Sequence, residues 1–166
     1  MAYFPIENRL GLRAFTEIDT AKQYELGTIV RGQDATLGLG EFIYLLGVAS
    51  TEVGLLVKYN ATTFQTVVVT NTAVQAVPVA VAMAAILATQ YGWYQIEGLA
   101  VIKKTAVAVT PQVTLFLSAT AGRVKVLASA GLQVVGCRSA NLTTVASTVS
   151  TVTALINRPH LQSQIT

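Results

Sequence analysis

The clearest pattern in the chain is an alternation of side chains over residues 91–102, YGWYQIEGLAVI. If this stretch is a strand, one face carries apolar side chains, apart from Gly98: Tyr94, Ile96, Ala100 and Ile102. The opposite face mixes large and polar side chains: Trp93, Gln95, Glu97, Leu99 and Val101. We therefore predict a central strand that is buried on one side and touches a second surface on the other.

Short apolar stretches around this strand predict the rest of a β-domain. Between turn signals rich in Gly, Asn and Thr, we predict strands within residues 41–50, 55–59, 64–70, 77–83, 106–109, 113–118, 123–127, 132–138 and 149–157. Helix-forming residues at 84–90 predict at most one helical turn. Many short strands at this spacing are typical of an antiparallel sandwich or barrel. The predicted fold class is therefore all-β, compact and jelly-roll-like.

The first 34 residues differ from the rest of the chain. They hold five of the eight acidic residues and show neither alternation nor a helical stripe. We interpret residues 1–34 as an extended N-terminal arm, residues 35–159 as the β-domain and residues 160–166 as a short C-terminal tail. The apolar side chains of the arm are predicted to anchor it on another protein: Tyr3, Phe4, Ile6, Leu10, Leu12 and Phe15.

A shortage of charge changes the expected surface. Charged residues make up 11% of the chain and apolar residues 52%, against roughly 25% charged in an ordinary soluble domain. A membrane span does not explain this, because Gln75 and Pro78 interrupt the most apolar region, residues 74–89. That region is also shorter than the roughly 20 residues that a span needs. We infer that other protein covers much of the surface, in a homo-oligomer or a larger assembly.

Charge is also unevenly distributed along the sequence. Residues 1–97 hold eight acidic and five basic residues, a net charge of −3, whereas residues 98–166 hold six basic residues and no acidic one, a net charge of +6. Lys103 and Lys104 are predicted to be exposed at the end of the central strand. We do not expect direct nucleic-acid binding, because the basic residues are spread out and no aromatic residue follows Phe116 to stack on bases. Contact between the acidic and basic surfaces of neighbouring copies or partners would explain this charge distribution as well as nucleic-acid binding would.

Groups that carry catalysis are scarce in this sequence. Cys137 is the only cysteine and His160 the only histidine, so neither an intramolecular disulfide nor a structural zinc site is expected. No phosphate-binding or dinucleotide-binding glycine motif is present. The first ten residues lack the pattern of a secretory signal. We predict a protein without cofactor or metal that is not an enzyme and is made in a reducing compartment.

Several sequence segments are more informative about the protein family than the composition is. LGT at residues 26–28 is followed by GEFIYLLG at 40–47, QYGWYQIEG at 90–98, LFLSATAG at 115–122 and INRP at 156–159. In this order they resemble the head-decoration, or capsid cement, proteins of tailed bacteriophages. The chain differs from that pattern in its longer N-terminal arm and in a Ser- and Thr-rich stretch at residues 141–153.

The resemblance implies a viral structural protein that binds the outer surface of the mature phage head and bridges capsomers of the major capsid protein. It implies a dimer or trimer at capsid symmetry axes, located on the virion after synthesis in the host cytoplasm, with no catalytic residue to carry over. Trp93 and Arg158 join the arm residues as predicted capsid or subunit contacts. Two alternatives stay open. One is another virion module, such as a tail or fibre component or a carbohydrate-binding knob built on the Trp93 cluster. The other is a hydrolase that uses Glu97.

Overall fold

The computed structural model describes residues 3–6, 11–73 and 75–163, and these residues form twelve strands and no helix. The strands are β1 (Phe4–Pro5), β2 (Ile18–Asp19), β3 (Ile29–Asp34), β4 (Gly38–Leu46), β5 (Leu56–Tyr59), β6 (Thr66–Val68), β7 (Val79–Ala82), β8 (Tyr91–Lys103), β9 (Thr114–Leu117), β10 (Val124–Lys125), β11 (Gln133–Ser139) and β12 (Thr151–Leu161). The prediction of an all-β fold is confirmed. Residues 84–90 form no helical turn.

The described strands make one antiparallel sheet in the order β1-β3-β4-β8-β12-β11-β9-β10. β2 pairs with β8, and β5, β6 and β7 form a side ladder that joins β8 through β7. The path begins at β1 and ends at β10 without closing on itself, so the architecture is compatible with a sandwich and not with a closed barrel.

The predicted central strand is β8, and the burial of its apolar face is confirmed. The side chains of its apolar face are all buried: Tyr94, Ile96, Ala100 and Ile102. β8 pairs with β4 over its first part and with β12 over its last part, and a β-bulge interrupts the pairing with β4 next to Glu41. Gly98 suits this position, because its φ is +98° and a Cβ there would collide with the carbonyl oxygen of Leu39.

The sheet includes residues from both predicted ends of the chain. β3 lies within the predicted arm and pairs with β4 from Ile29 to Asp34. Its residues alternate between buried and more exposed positions, with Val30 buried and Arg31 exposed. At the other end β12 continues to Leu161, which pairs with Val134. The described parts of residues 1–34 and 160–163 are therefore continuous with the β-domain.

Candidate functional site

One face of β4 and β8 buries a cluster of aromatic rings, which we call the aromatic cluster. Its members are Tyr3, Phe15, Phe42, Tyr44 and Trp93. The Phe15 ring stacks on Phe42 with centroids 4.0 Å apart, and it meets Trp93 edge-on at 5.6 Å. Rings in such arrangements attract each other beyond the area they bury. The N-terminal segment therefore supplies part of the protein's own core.

Hydrogen bonds hold the N-terminal segment on this cluster. Tyr44 Oη donates to Oδ2 of the buried Asp19 at 2.6 Å, and Arg13 Nη1 donates to the other carboxylate oxygen at 3.0 Å. Burial and the bond to Asp19 raise the pKa of Tyr44. Near the start of the chain, Tyr3 Oη donates to the carbonyl oxygen of Leu99, and burial raises the pKa of Tyr3.

The structure separates the predicted contact residues into two groups. Tyr3, Phe15 and Trp93 are 4%, 1% and 1% exposed. These side chains cover one another, so almost none of their surface is left for a partner. Leu12 packs partly buried against the aromatic cluster, and Leu10 lies outside the described residues. In contrast, the last three predicted contacts are exposed: Phe4, Ile6 and Arg158.

These exposed residues lie together on the opposite face of the same strands, on what we call the edge surface. It consists of Phe4, Ile6, Arg31, Gln33, Leu39, Glu41, Glu97 and Arg158. The strand register builds it, because Phe4 pairs with Gln33 and Gln33 with Leu39. A second row runs from Arg31 to Glu41 to Glu97. Directly paired residues project to the same side of a sheet.

Three large apolar side chains of the edge surface face solvent. Phe4 is 63% exposed, Leu39 62% and Ile6 48%. Leu39 borders a shallow depression that is also lined by Arg31, Glu41 and Glu97. The apolar and charged residues therefore form one continuous surface.

The charged residues of the edge surface form a network of alternating sign. Glu41 accepts hydrogen bonds from Arg31 Nε at 3.2 Å and from Arg158 Nη2 at 2.7 Å. Arg158 Nε also lies 3.9 Å from the Glu97 carboxylate. Glu41 and Glu97 are paired directly across the two strands, where like charges repel. Arg158 contacts both carboxylates and so offsets their repulsion.

Arg158 reaches these carboxylates from an unusual backbone conformation. Its φ is +41°, in the left-handed region that non-glycine residues rarely adopt. Such a residue costs on the order of 1–3 kcal/mol, and residues of this kind cluster at functional sites. The irregular pairing of β11 and β12 between Val135 and Cys137 lies beside it.

Lys104, which follows β8, is buried at 1% exposure, contrary to the prediction that it is exposed. Its Nζ donates to the carbonyl oxygens of Thr105, Val107 and Ala146 at 3.3, 2.9 and 3.0 Å. Burial lowers the pKa of Lys104. The prediction failed because three carbonyl groups replace water around the ammonium group, and the distant one, of Ala146, ties the end of β8 to the stretch before β12.

Residues 141–150 of the Ser- and Thr-rich stretch form an ordered loop, and residues 151–153 begin β12. Val109 and Val145 exchange two backbone hydrogen bonds of 2.9 Å, and Asn141 Nδ2 donates to the carbonyl oxygen of Val109 at 3.1 Å. The strand predicted at residues 106–109 does not form, and Val109 instead makes an isolated bridge with Val145 of this loop. Leu142 stands at the surface of the loop, 96% exposed.

The described residues contain no group of three or more metal-ligating side chains. Cys137 is buried, and burial raises the pKa of its thiol to about 12, so the thiolate that reacts as a nucleophile is disfavoured. His160 lies in β12, where it pairs with Val135. Glu97, the residue considered for hydrolysis, contacts Arg158 within the edge surface.

Sequence reasoning missed four residues of this surface, Arg31, Gln33, Leu39 and Glu41, and considered a fifth, Glu97, only for hydrolysis. In β3 burial alternates along the strand, with Arg31 and Gln33 exposed, and in β4 Leu39 is exposed and Glu41 is partly buried. The sequence of residues 29–34, IVRGQD, shows no apolar alternation, and the segment was therefore assigned to the arm.

A scan of the sequence against models of known protein families finds no match, and no curated protein is significantly similar to the chain. In the described ranges, no helix is present that is long and apolar enough to cross a membrane.

Proposed function

We propose that this protein is a viral structural protein that decorates a capsid. It binds the outer surface of the shell and bridges capsomers of the major capsid protein. The observation that carries the proposal is where the segments that resemble capsid cement proteins lie in the fold. GEFIYLLG lies in β4, QYGWYQIEG in β8 and INRP in β12, which are neighbouring strands. Each contributes one charged residue to the edge surface: Glu41, Glu97 and Arg158.

The chemistry of the edge surface supports protein contact. Large apolar side chains stand on an ordered sheet beside ion pairs, and apolar groups at the centre of a polar rim are typical of protein interfaces. The low charge of the whole chain, 11% of residues, supports the same interpretation. A shell protein needs no reacting group.

The mechanism would be mass action. A protein that binds the assembled lattice but not its separate parts stabilises the lattice, by about 2.7 kcal/mol per site when its free concentration is 100 times the dissociation constant. Several copies on one shell add avidity, because each contact raises the effective concentration of the next.

The alternatives differ from this proposal in what they need at the surface. A carbohydrate-binding knob needs an exposed Trp93 ring, whereas that ring is covered by Phe15. A tail or fibre component would use the same kind of protein contact, and its copy number in the particle would distinguish it from a coat.

Co-sedimentation with purified expanded shells tests the proposal. We expect wild-type protein to pellet with shells saturably and the Phe4→Ser/Leu39→Ser double variant to bind at least about 10-fold more weakly, because the edge surface loses two apolar contacts with its neighbour in the coat. Leu127→Ser is the matched control, since Leu127 is 61% exposed and follows β10 at the far end of the strand order. Failure of the wild-type protein to pellet at any concentration would contradict the proposal.

Substitutions are preferable to truncation here. Removing residues 1–30 would delete Tyr3 and Phe15 from the aromatic cluster as well as Phe4 and Ile6 from the edge surface. Loss of binding would then not distinguish a missing contact from an unfolded domain.

A further inference from the structure

We infer that the neighbour that covers the edge surface is a second copy of this chain, placed by a two-fold axis. The inference deepens the proposed function and rests on it for the use of the contact in a coat. The contact itself would exist in solution.

The balance of positive and negative charges on the edge surface favours a second copy of the chain as its partner. Among the described residues, the edge surface holds two arginines and two glutamates, whose charges balance, although the whole chain carries a net charge of +3. A strongly charged partner of either sign would meet two like charges there. A two-fold contact brings a surface against itself, so it requires a surface that is complementary to itself.

The order of the charges allows that complementarity. Arg31 and Glu41 are paired neighbours on β3 and β4. A two-fold axis that passes between these strands places Arg31 of one copy opposite the partner's Glu41, and the reverse contact follows by symmetry. Surface ion pairs add little energy, but they fix register and exclude wrong arrangements.

The apolar side chains supply the attraction. Phe4, Ile6 and Leu39 each expose about half or more of their surface. They lie beside the charged row, and a second copy would cover them with its own three. Burial of such side chains is the main favourable term in protein association.

The contact would be face to face and would not extend the sheet by another strand. The backbone N–H of Ile6 donates to the carbonyl oxygen of Arg31 in β3. Because backbone nitrogens alternate in direction along a strand, the nitrogen of the preceding residue points to the other side of β1, which is open. That residue is Pro5, which has no N–H to offer another strand. Proline at this place opposes strand addition and leaves the face available.

The size of the surface predicts a weak association. Eight side chains form it, whereas a standard interface uses roughly 20–30 residues a side. We expect a dissociation constant on the order of micromolar, so that monomers and dimers exchange in solution and a shell, by concentrating the protein, favours the dimer.

Sedimentation velocity between about 1 µM and 1 mM covers the range that such an interface predicts. We expect a monomer–dimer equilibrium for wild-type protein, a dimer weakened about 10-fold or more by Leu39→Ser, and no change for Leu127→Ser. A wild-type monomer over the whole range would overturn the inference. So would a dimer that Leu39→Ser leaves unchanged.

Charge exchange gives a second, independent test. Arg158→Glu leaves one arginine and three glutamates on the edge surface, a net charge of −2, and Glu97→Arg leaves three arginines and one glutamate, a net charge of +2. Each variant should dimerise about 10-fold or more weakly than wild type, and native mass spectrometry of the mixture should show the mixed dimer in excess. Thermal melting of each variant verifies that it is folded. A mixture that forms no mixed dimer would overturn the inference.

The two proposals fail separately in these experiments. A protein that pellets with shells but never dimerises in solution keeps the proposed function and loses the inference. A protein that dimerises through Leu39 but does not bind shells keeps the inference and loses the proposed function.

Discussion

Residues of β4 and β8 contribute to two different environments. Phe42 and Trp93 enter the aromatic cluster, while Glu41 and Glu97 lie on the edge surface. The N-terminal segment follows the same rule, since Tyr3 is buried and Phe4 is exposed. The difference shows that the exposed apolar residues of the edge surface are not part of the hydrophobic core. The face opposite the aromatic cluster also holds buried residues, among them Ile43, Leu45 and Tyr94, and only its part near Leu39, Glu41 and Glu97 is uncovered.

The difference between the faces also predicts how substitutions separate stability from association. A change to the aromatic cluster should lower the free energy of unfolding. A change to the edge surface should leave that free energy almost unaltered and weaken only contact with another protein.

The largest expected effect comes from Phe15→Ala. Phe15 is 1% exposed, and truncation of a buried phenylalanine costs about 3–5 kcal/mol of unfolding free energy. Phe4→Ala, in the same N-terminal segment, is the control and should cost under about 0.5 kcal/mol, as exposed substitutions do. Denaturant titration measures both. Equal losses for the two variants would mean that the faces do not differ as described.

Lys104→Met extends the comparison to charges, because Lys104 is buried while the arginines of the edge surface are exposed. The change leaves three carbonyl oxygens without their shared donor. We expect a loss of about 1.5–3 kcal/mol, typical of hydrogen bonds to a charged group. Amide hydrogen exchange should show faster opening of Val145, which lies in the loop. Unaltered exchange there would contradict the role given to the ammonium group.

Tyr44→Phe tests the bond between the aromatic cluster and the N-terminal segment, and we expect a loss of about 1–3 kcal/mol. The folded-state pKa of Tyr44 lies above its unfolded value of 10.0, so its contribution is complete below that value and is lost as the pH rises through the folded pKa. Wild-type stability should therefore fall in alkaline solution, and more steeply than that of the variant. Parallel pH profiles would contradict this assignment.

The smallest effect on stability is expected for Arg158→Ala. The Arg158 side chain is 59% exposed, and exposed ion pairs contribute about 0–1 kcal/mol. The substitution does not relieve the left-handed backbone conformation, since alanine is no better there than arginine. A measured loss of unfolding free energy above about 2 kcal/mol would exceed this range. It would mean that the charge network stabilises the fold as core residues do.

The sequence predicted those strands whose pattern is local. The strands expected at residues 55–59 and 91–102 correspond to β5 and β8, since apolar and strand-forming residues are concentrated there between turn residues. The all-β class follows from the same signal.

The strands and turns that were missed depend on distant residues. β3 lacks an apolar residue at Gly32, because the ring of Phe15 fills the space that a side chain would take. Residues 84–90 carry helix formers, yet the Ile86 side chain packs over Gly47 and Gly92, and this holds the segment against the sheet. Neither contact is visible in a local pattern.

The candidate site was predicted in part. Phe4, Ile6 and Arg158 were identified as contact residues, but Tyr3, Phe15 and Trp93 were identified with them. Composition cannot separate these two sets, because it is register that decides which side chain faces the core.

The copy number of this protein in purified virus particles, relative to the major capsid protein, tests the central claim most directly. The account predicts a ratio near one or a simple fraction set by the lattice, because a decoration protein occupies every equivalent site on the shell. A few copies per particle would place the protein at a tail or a vertex. Absence from the particle would contradict the account.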